Sequence, residues 1–241
     1  MRVLLLSENE ITSLLSMNEI VEAVEVAFKE YASGYVQMPP KLYLSYPQYS
    51  GDLRTMPCYL ERLKISAVKI VNAHPENPKK FGLPTVMATI ILIDPENGQP
   101  LAIMGGRNIT AIRTGAAGGI AAKYLARKDS QVVGLVGAGV QARTQLLALH
   151  SIYGNLEKIG VWDVSSSASE KYVDEMQPGF AESKIVSVER LRDAVEGADI
   201  IVTTTPSRKP LVMNEWIHVG VHINCIGADA PGKQELEPAV L

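Results

Sequence analysis

From Gln131 onward the chain alternates apolar runs with amphipathic stretches, and this alternation limits the fold more than any other feature. VVGLVG, KIGVWD, KIVSV, ADIIVTTT and VHINCIG have the length and β-branched content of buried strands. GVQARTQLLALHSIY, SSSASEKYVDEM and ERLRDAVEG, which lie among them, carry helical spacing. Strands buried on both faces read as continuous apolar runs, and helical crossovers join parallel neighbours. This part of the chain is therefore expected to form a doubly wound parallel sheet.

The first of these strands meets its helix at GAGVQA, Gly137 to Ala142. Gly137 permits a tight turn, Gly139 lets a pyrophosphate approach the N–H groups at the helix start, and Ala142 allows close helix–strand packing. Asp163 ends the next strand, 26 residues after Gly137. A carboxylate there accepts from an adenosine ribose 2′-OH and repels a 2′-phosphate. Val164-Ser165-Ser166 offers no Arg to welcome that phosphate, so NAD is expected rather than NADP. The plainer alternative is a glycine-rich turn that binds another nucleotide or nothing. Strand, helix and acid in sequence weigh against it, and TTTPSRKP supplies hydroxyls at the carboxyl edge, where cofactors bind in such sheets.

The first half has a different rhythm. Ser7 with Glu10, and Ser16 with Glu19, have the spacing of capping boxes. The second helix is expected to present Ile20, Val24, Ala27, Phe28 and Tyr31 on one face and to stop at Gly34. PPKLYLSYP, GDLRTMPCYL, ISAVKIVN, PTVMATIILI and QPLAIMGG read as extended, with Asn97-Gly98 a hairpin signal joining the last two. An antiparallel or mixed sheet with helices packed on it follows. Residues 108–126 form a Gly/Ala-rich helix in which glycines cost intrinsic stability but admit other backbone closely. It is expected to bridge an α+β domain, residues 1–115, and a Rossmann-type α/β domain, residues 116–241.

Net charge and residue usage narrow the function. A formal charge of −3 without a clustered basic face gives no case for nucleic acid. The longest apolar stretch, within TVMATIILI, is too short to span a membrane. Two cysteines far apart and four histidines without ligand spacing argue for a reduced, cytoplasmic chain with no metal. Lys41, Arg54, Lys69 and Arg113 are cations in apolar contexts. They either snorkel or pair with Asp52 or Glu61, or they hold an anion such as a substrate carboxylate. Asp229 and Lys233 stand in the small-residue loop GADAPGK. Asp229 is a turn former or an acid/base, and Lys233 is a solvated cation or a contact to cofactor phosphate.

QMPPK (37–41), GDLRTMP (51–57), VKIVNAHPEN (68–77), LPTVMA (83–88), RTGAAGGIAAKYLARK (113–128), VGAGVQA (136–142), TTTPSRKP (203–210) and INCIGADAPGKQEL (223–236) resemble the ornithine cyclodeaminase/mu-crystallin family. Within it the chain is most similar to the archaeal-type alanine dehydrogenases. The resemblance implies a homodimer formed through the substrate domain, NAD on the Rossmann domain, and an amino acid or 2-oxo acid in the cleft. It implies substrate binding by Lys41, Arg54, Lys69 and Arg113, and catalysis by Asp229 and Lys69. Gly137 and Gly139 come from the turn itself, and the resemblance adds Thr85, Arg113, Thr114, Val140, Gln141, Asp163, Thr205, Asn224 and Lys233 as cofactor contacts. It also implies a final Rossmann strand and a C-terminal segment that returns to the substrate domain, neither of which lies within these 241 residues. Arg54 stands where cyclodeaminases carry Glu, which favours the oxidation of L-alanine to pyruvate and ammonia. Ornithine cyclodeamination to proline and a non-catalytic, mu-crystallin-like NAD(P)-binding role are the alternatives.

Overall fold

Capping chemistry starts the chain's first helices where the sequence places it, in a computed structural model that describes residues 2–241. Two units are present, Met1–Ala111 and Ile112–Leu241. The first holds β1 (Leu4–Leu6), α1 (Glu8–Leu14), α2 (Met17–Ala32), β2 (Val36–Gln37), β3 (Leu42–Tyr46) and β4 (Gly51–Leu60). There follow β5 (Ile65–Ala73), α3 (Asn77–Phe81), β6 (Val86–Ile93), β7 (Pro100–Gly105) and the start of α4 (Arg107–Leu125). The Ser7 hydroxyl accepts the Glu10 N–H at 3.3 Å while the Glu10 carboxylate accepts the Ser7 N–H at 2.8 Å, which closes the capping box of α1. At α2 the Ser16 hydroxyl accepts the Glu19 N–H at 3.4 Å, one half of such a box.

The sheet order is β1-β7-β6-β5-β4-β2, with β3 paired to the first half of β4. Every pairing is antiparallel except β1 with β7. The β6–β7 turn closes through Asp94, whose carboxylate accepts the Glu96 N–H at 2.8 Å, and Gly98 takes φ +77°. On α2 the expected face is only partly covered. Val21 is the buried residue, Ile20, Val24 and Ala27 are half-buried, and Phe28 and Tyr31 stay 49% and 57% exposed. The brief elements β1 and α3 carried no periodic signal in the sequence.

The second unit continues α4 and adds β8 (Val132–Val136), α5 (Val140–Tyr153), β9 (Lys158–Trp162), α6 (Ser166–Met176), β10 (Lys184–Ser187) and α7 (Leu191–Val195). β11 (Ile200–Thr203), β12 (Arg208–Val212), β13 (His222–Cys225) and β14 (Gln234–Leu236) complete it. The main sheet is parallel throughout, in the order β10-β9-β8-β11-β13. This is the Rossmann-type doubly wound arrangement. Its strand order reverses between β8 and β11, so ligand binding belongs at the carboxyl ends of those strands. β12 and β14 form a separate parallel pair that the sequence pattern did not reveal.

Strand alternation divides the core between the two faces of this sheet. Ile200 and Val202 join Leu135, Leu146, Leu149, Ile159 and Tyr172 on one side, whereas Ile201 joins Val136, Val195 and Val212 on the other. The glycines of α4 behave as their small size suggests. A Cβ on Gly115, Gly118 or Gly119 would overlap Thr144, Gln145 or Ala148 of α5. Backbone carbonyls along α4 accept from side chains: Thr114 O from Gln145 (2.9 Å), Gly118 O from Asn224 (2.9 Å) and Ala122 O from Tyr153 (2.8 Å).

Candidate functional site

The chemistry of the second unit gathers where β8 turns into α5. Gly137 adopts φ +102°, a backbone state favoured by glycine, and its N–H donates to Trp162 O at 2.8 Å. A Cβ on Gly139 would meet nothing within 4 Å, and no side chain caps the start of α5. The helix therefore begins with N–H groups facing open space, the arrangement that holds phosphate anions. Asp163 borders the turn: one oxygen accepts the Ala138 N–H at 2.8 Å and the other the Ser165 N–H at 3.0 Å. Carboxylate oxygens have further lone pairs, so Asp163 keeps capacity for ribose hydroxyls. Val140 is exposed and Gln141 half-buried beside this opening. These features fit the phosphates and ribose of a dinucleotide.

Arg143, one turn into α5, was not singled out in the sequence. Its guanidinium donates to the carbonyls of Ala138 (2.5 Å) and Gly139 (3.0 Å) and to Glu175 (3.0 Å), and it lies 4.9 Å over the Tyr172 ring. Drawing the turn's carbonyls toward Arg143 leaves its N–H groups for a ligand. Burial pushes the Tyr172 phenol well above its ordinary pKa, with Arg143 opposing the shift, so the ring stays neutral under its cation.

At the carboxyl edges of β11 and β13 the residues sort into two kinds. Thr205 is half-buried, with its hydroxyl turned to Glu235 at 2.7 Å. Asn224 is 5% exposed, and its amide is engaged internally, donating to Gly118 O and lying 3.0 Å from His222 Nε2. That structural use went unforeseen. Desolvation lowers the His222 pKa, with the Asn224 hydrogen bond opposing it. Asp229 and Lys233 pair at 2.5 Å, and Lys233 also donates to Gly227 O at 3.3 Å. The expected phosphate contact of Lys233 thus competes with a bridge inside its own loop. Arg113 and Thr114 lie on α4, where desolvation lowers the Arg113 pKa from its ordinary value.

In the first unit, three of the predicted cations share one sheet face. Tyr43 opposes Arg54 across β3–β4, and Lys69 opposes Met56 across β4–β5, two residues along from Arg54 on the same face. Arg54 Cζ lies 5.3 Å and Lys41 Nζ 5.9 Å from the Tyr43 ring centroid. Arg54 also forms the anticipated ion pair with Asp52, bidentate at 2.9 and 2.8 Å. Thr85 stands apart, just before β6, its carbonyl accepting the His74 N–H at 2.8 Å. Among the described residues no group of three or more His, Cys, Asp or Glu is arranged to hold a metal, and no helix is long and apolar enough to cross a membrane.

Glu235 also escaped the sequence, because an acid in a three-residue strand carries no periodic signal. A family model described as "Ornithine cyclodeaminase/mu-crystallin family" matches residues 1–241. An alanine dehydrogenase from Archaeoglobus fulgidus is 49% identical over 243 residues, a match spanning 100% of this chain and 72% of the relative. Among solved structures, an archaeal alanine dehydrogenase dimer with bound NAD superposes with a TM-score of 0.93 at 48% identity, covering 99% of this chain and 72% of the other. A Thermococcus litoralis Δ1-pyrroline-2-carboxylate reductase in complex with NADH and L-proline gives a TM-score of 0.94 at 44% identity, covering 99% and 73%.

Proposed function

Because the chain belongs to the ornithine cyclodeaminase/mu-crystallin family, we propose that it is an NAD-dependent amino-acid oxidoreductase, specifically an alanine dehydrogenase. The reaction converts L-alanine, water and NAD⁺ to pyruvate, ammonium, NADH and a proton. The observation that carries the proposal is the uncapped start of α5, with Gly137 at positive φ, open space at Gly139 and Asp163 alongside. Bound NAD supplies a two-electron hydride acceptor. Gly139, Val140 and Gln141 would hold its phosphates and Asp163 its ribose, with Thr85, Arg113, Thr114 and Thr205 as further contacts, and Asn224 and Lys233 would join them by exchanging their bonds to Gly118 and Asp229.

Lys41, Arg54, Lys69 and Arg113 bind the substrate carboxylate. Within this set Arg54 is itself ion-paired with Asp52. Each charge-assisted hydrogen bond contributes about 1.5–3 kcal/mol, and fixed orientation contributes more to rate than affinity alone. Asp229 exchanges protons with the substrate amine, and the 2.5 Å contact with Lys233 fixes the position of its carboxylate. Exposed Leu42 and Leu44 on β3, together with the dimeric state of the archaeal alanine dehydrogenase, support a homodimer.

A second activity, reduction of Δ1-pyrroline-2-carboxylate, is favoured by the likeness to the T. litoralis reductase. The two differ in whether the amine arrives as ammonium or is already built into a ring. NADH oxidation assayed with pyruvate plus ammonium, with Δ1-pyrroline-2-carboxylate, and with ornithine plus NAD⁺ separates them. Turnover of pyruvate only when ammonium is present is expected. Turnover of the cyclic imine alone transfers the assignment to the reductase, and proline from ornithine transfers it to a cyclodeaminase.

A further inference from the structure

Glu235 is 1% exposed, and donors surround both of its oxygens. Oε1 accepts from the Thr205 N–H at 2.5 Å and the Thr205 hydroxyl at 2.7 Å. Oε2 accepts from the Thr203 hydroxyl at 2.8 Å, the Gly227 N–H at 2.9 Å and the Cys225 thiol at 3.6 Å. These groups come from the end of β11, the loop after it, and the end of β13 with the loop leading on to Asp229. None of the five donors is a cation. A buried charge is costly unless it is hydrogen-bonded, and a deprotonated carboxylate, with no hydrogen of its own, accepts all five without conflict. Gly227 belongs to the same lock, because a Cβ there would overlap the Thr205 backbone and the Glu235 carboxylate.

For Thr205 the consequence is one of polarity. A hydroxyl has a single hydrogen, and that of Thr205 points to Glu235. The Ser207 N–H donates to the same oxygen at 3.3 Å, so what Thr205 can still offer is a lone pair. The hydroxyl of Thr204, its neighbour, lies 3.4 Å from the carbonyls of both Val136 and Gly137 and shares its one hydrogen between them, which carries the same bracing to the glycine turn.

We propose that Glu235 is a positioning residue for dinucleotide binding, bracing the Thr205 and Gly227–Asp229 loops and making the Thr205 hydroxyl an acceptor for an N–H or O–H of the cofactor. The inference rests on the NAD assignment above. Glu235→Gln keeps the size of the side chain but turns an amide N–H toward groups that are themselves donors.

The test titrates NADH fluorescence on the wild type, Glu235→Gln, Thr205→Val and the double variant, with melting temperatures taken without cofactor. Glu235→Gln is expected to weaken NADH binding about tenfold, the scale of one lost charge-assisted bond. Because Glu235 acts through Thr205, the double variant should fall short of the product of the single effects. A purely structural residue would lower the melting temperature and multiply with Thr205→Val. Wild-type affinity in folded Glu235→Gln, or a fully multiplicative double variant, overturns the proposal. If Glu235→Gln does not fold, Thr203→Val decides: binding weakened about threefold supports the proposal, in line with one neutral hydrogen bond, and unchanged binding overturns it. A wild type that fails to bind NADH overturns the NAD assignment, and this inference with it.

Discussion

The two units bury their sheets to very different depths. In the second, Leu135, Val136, Ile200, Ile201 and Val202 are all 0% exposed, since helices and loops of the same unit cover both faces. In the first, the ten residues of β4 are all half-buried, and of the nine in β5 only Val71 is fully buried. A parallel sheet covered on both faces leaves little room for cations, whereas a half-covered antiparallel face tolerates them. Lys69 and Arg54 occupy such a face. The contrast separates where stability resides from where charged chemistry is tolerated.

Four substitutions sharpen or break this contrast. Ile200→Ala should have the largest effect, destabilising the second unit by about 2–5 kcal/mol in urea unfolding, because both strand neighbours hold the cavity open. A loss below about 1 kcal/mol would show that the unit collapses around the gap. Gly118→Ala should cost about 1–3 kcal/mol through overlap with Gln145, with CD melts as the readout.

Asp199→Asn comes next. Desolvation raises the Asp199 pKa, but the N–H groups of Gln131 and Val132, each at 2.9 Å, and Arg127 outweigh it, so the net shift is downward. A carboxyl with a lowered native pKa stabilises above its unfolded value and loses that contribution as pH falls through the native one. The variant should therefore be about 1–2 kcal/mol less stable than wild type at pH 7, with the difference shrinking below roughly pH 4. A pH-independent gap would contradict the linkage.

Smallest is Leu44→Ser, on a residue 60% exposed. At low protein concentration it should shift stability by no more than about 0.5 kcal/mol. A loss that grows with protein concentration would indicate that a second copy covers β3.

What the sequence disclosed followed from local regularity. Runs such as ADIIVTTT and helices such as GVQARTQLLALHSIY repeat their period often enough to be legible, and GAGVQA is contiguous. Glu235 was hidden because its donors come from two stretches, Gly227 and Cys225 eight and ten residues before it and Thr203 and Thr205 some thirty, which only the fold brings together. Asn224 and Lys233 look like ligand-facing residues in their motif, yet their partners, Gly118 and Asp229, compete for the same atoms. β1 was hidden because its partner β7 lies about a hundred residues away and three leucines have no period. The α2 face was legible in its spacing, but how much of it the fold covers was not, and Phe28 and Tyr31 stay exposed.

The glycines of α4 have a consequence in time as well as space. A helix interior containing Gly115, Gly118 and Gly119 loses roughly 1 kcal/mol of intrinsic propensity at each. That segment cannot hold its shape until α5 stands beside it. We therefore expect its order to be completed only once α5 has formed. Changes at the α4–α5 contact should then register mainly in how fast the native state opens, and little in how fast it forms.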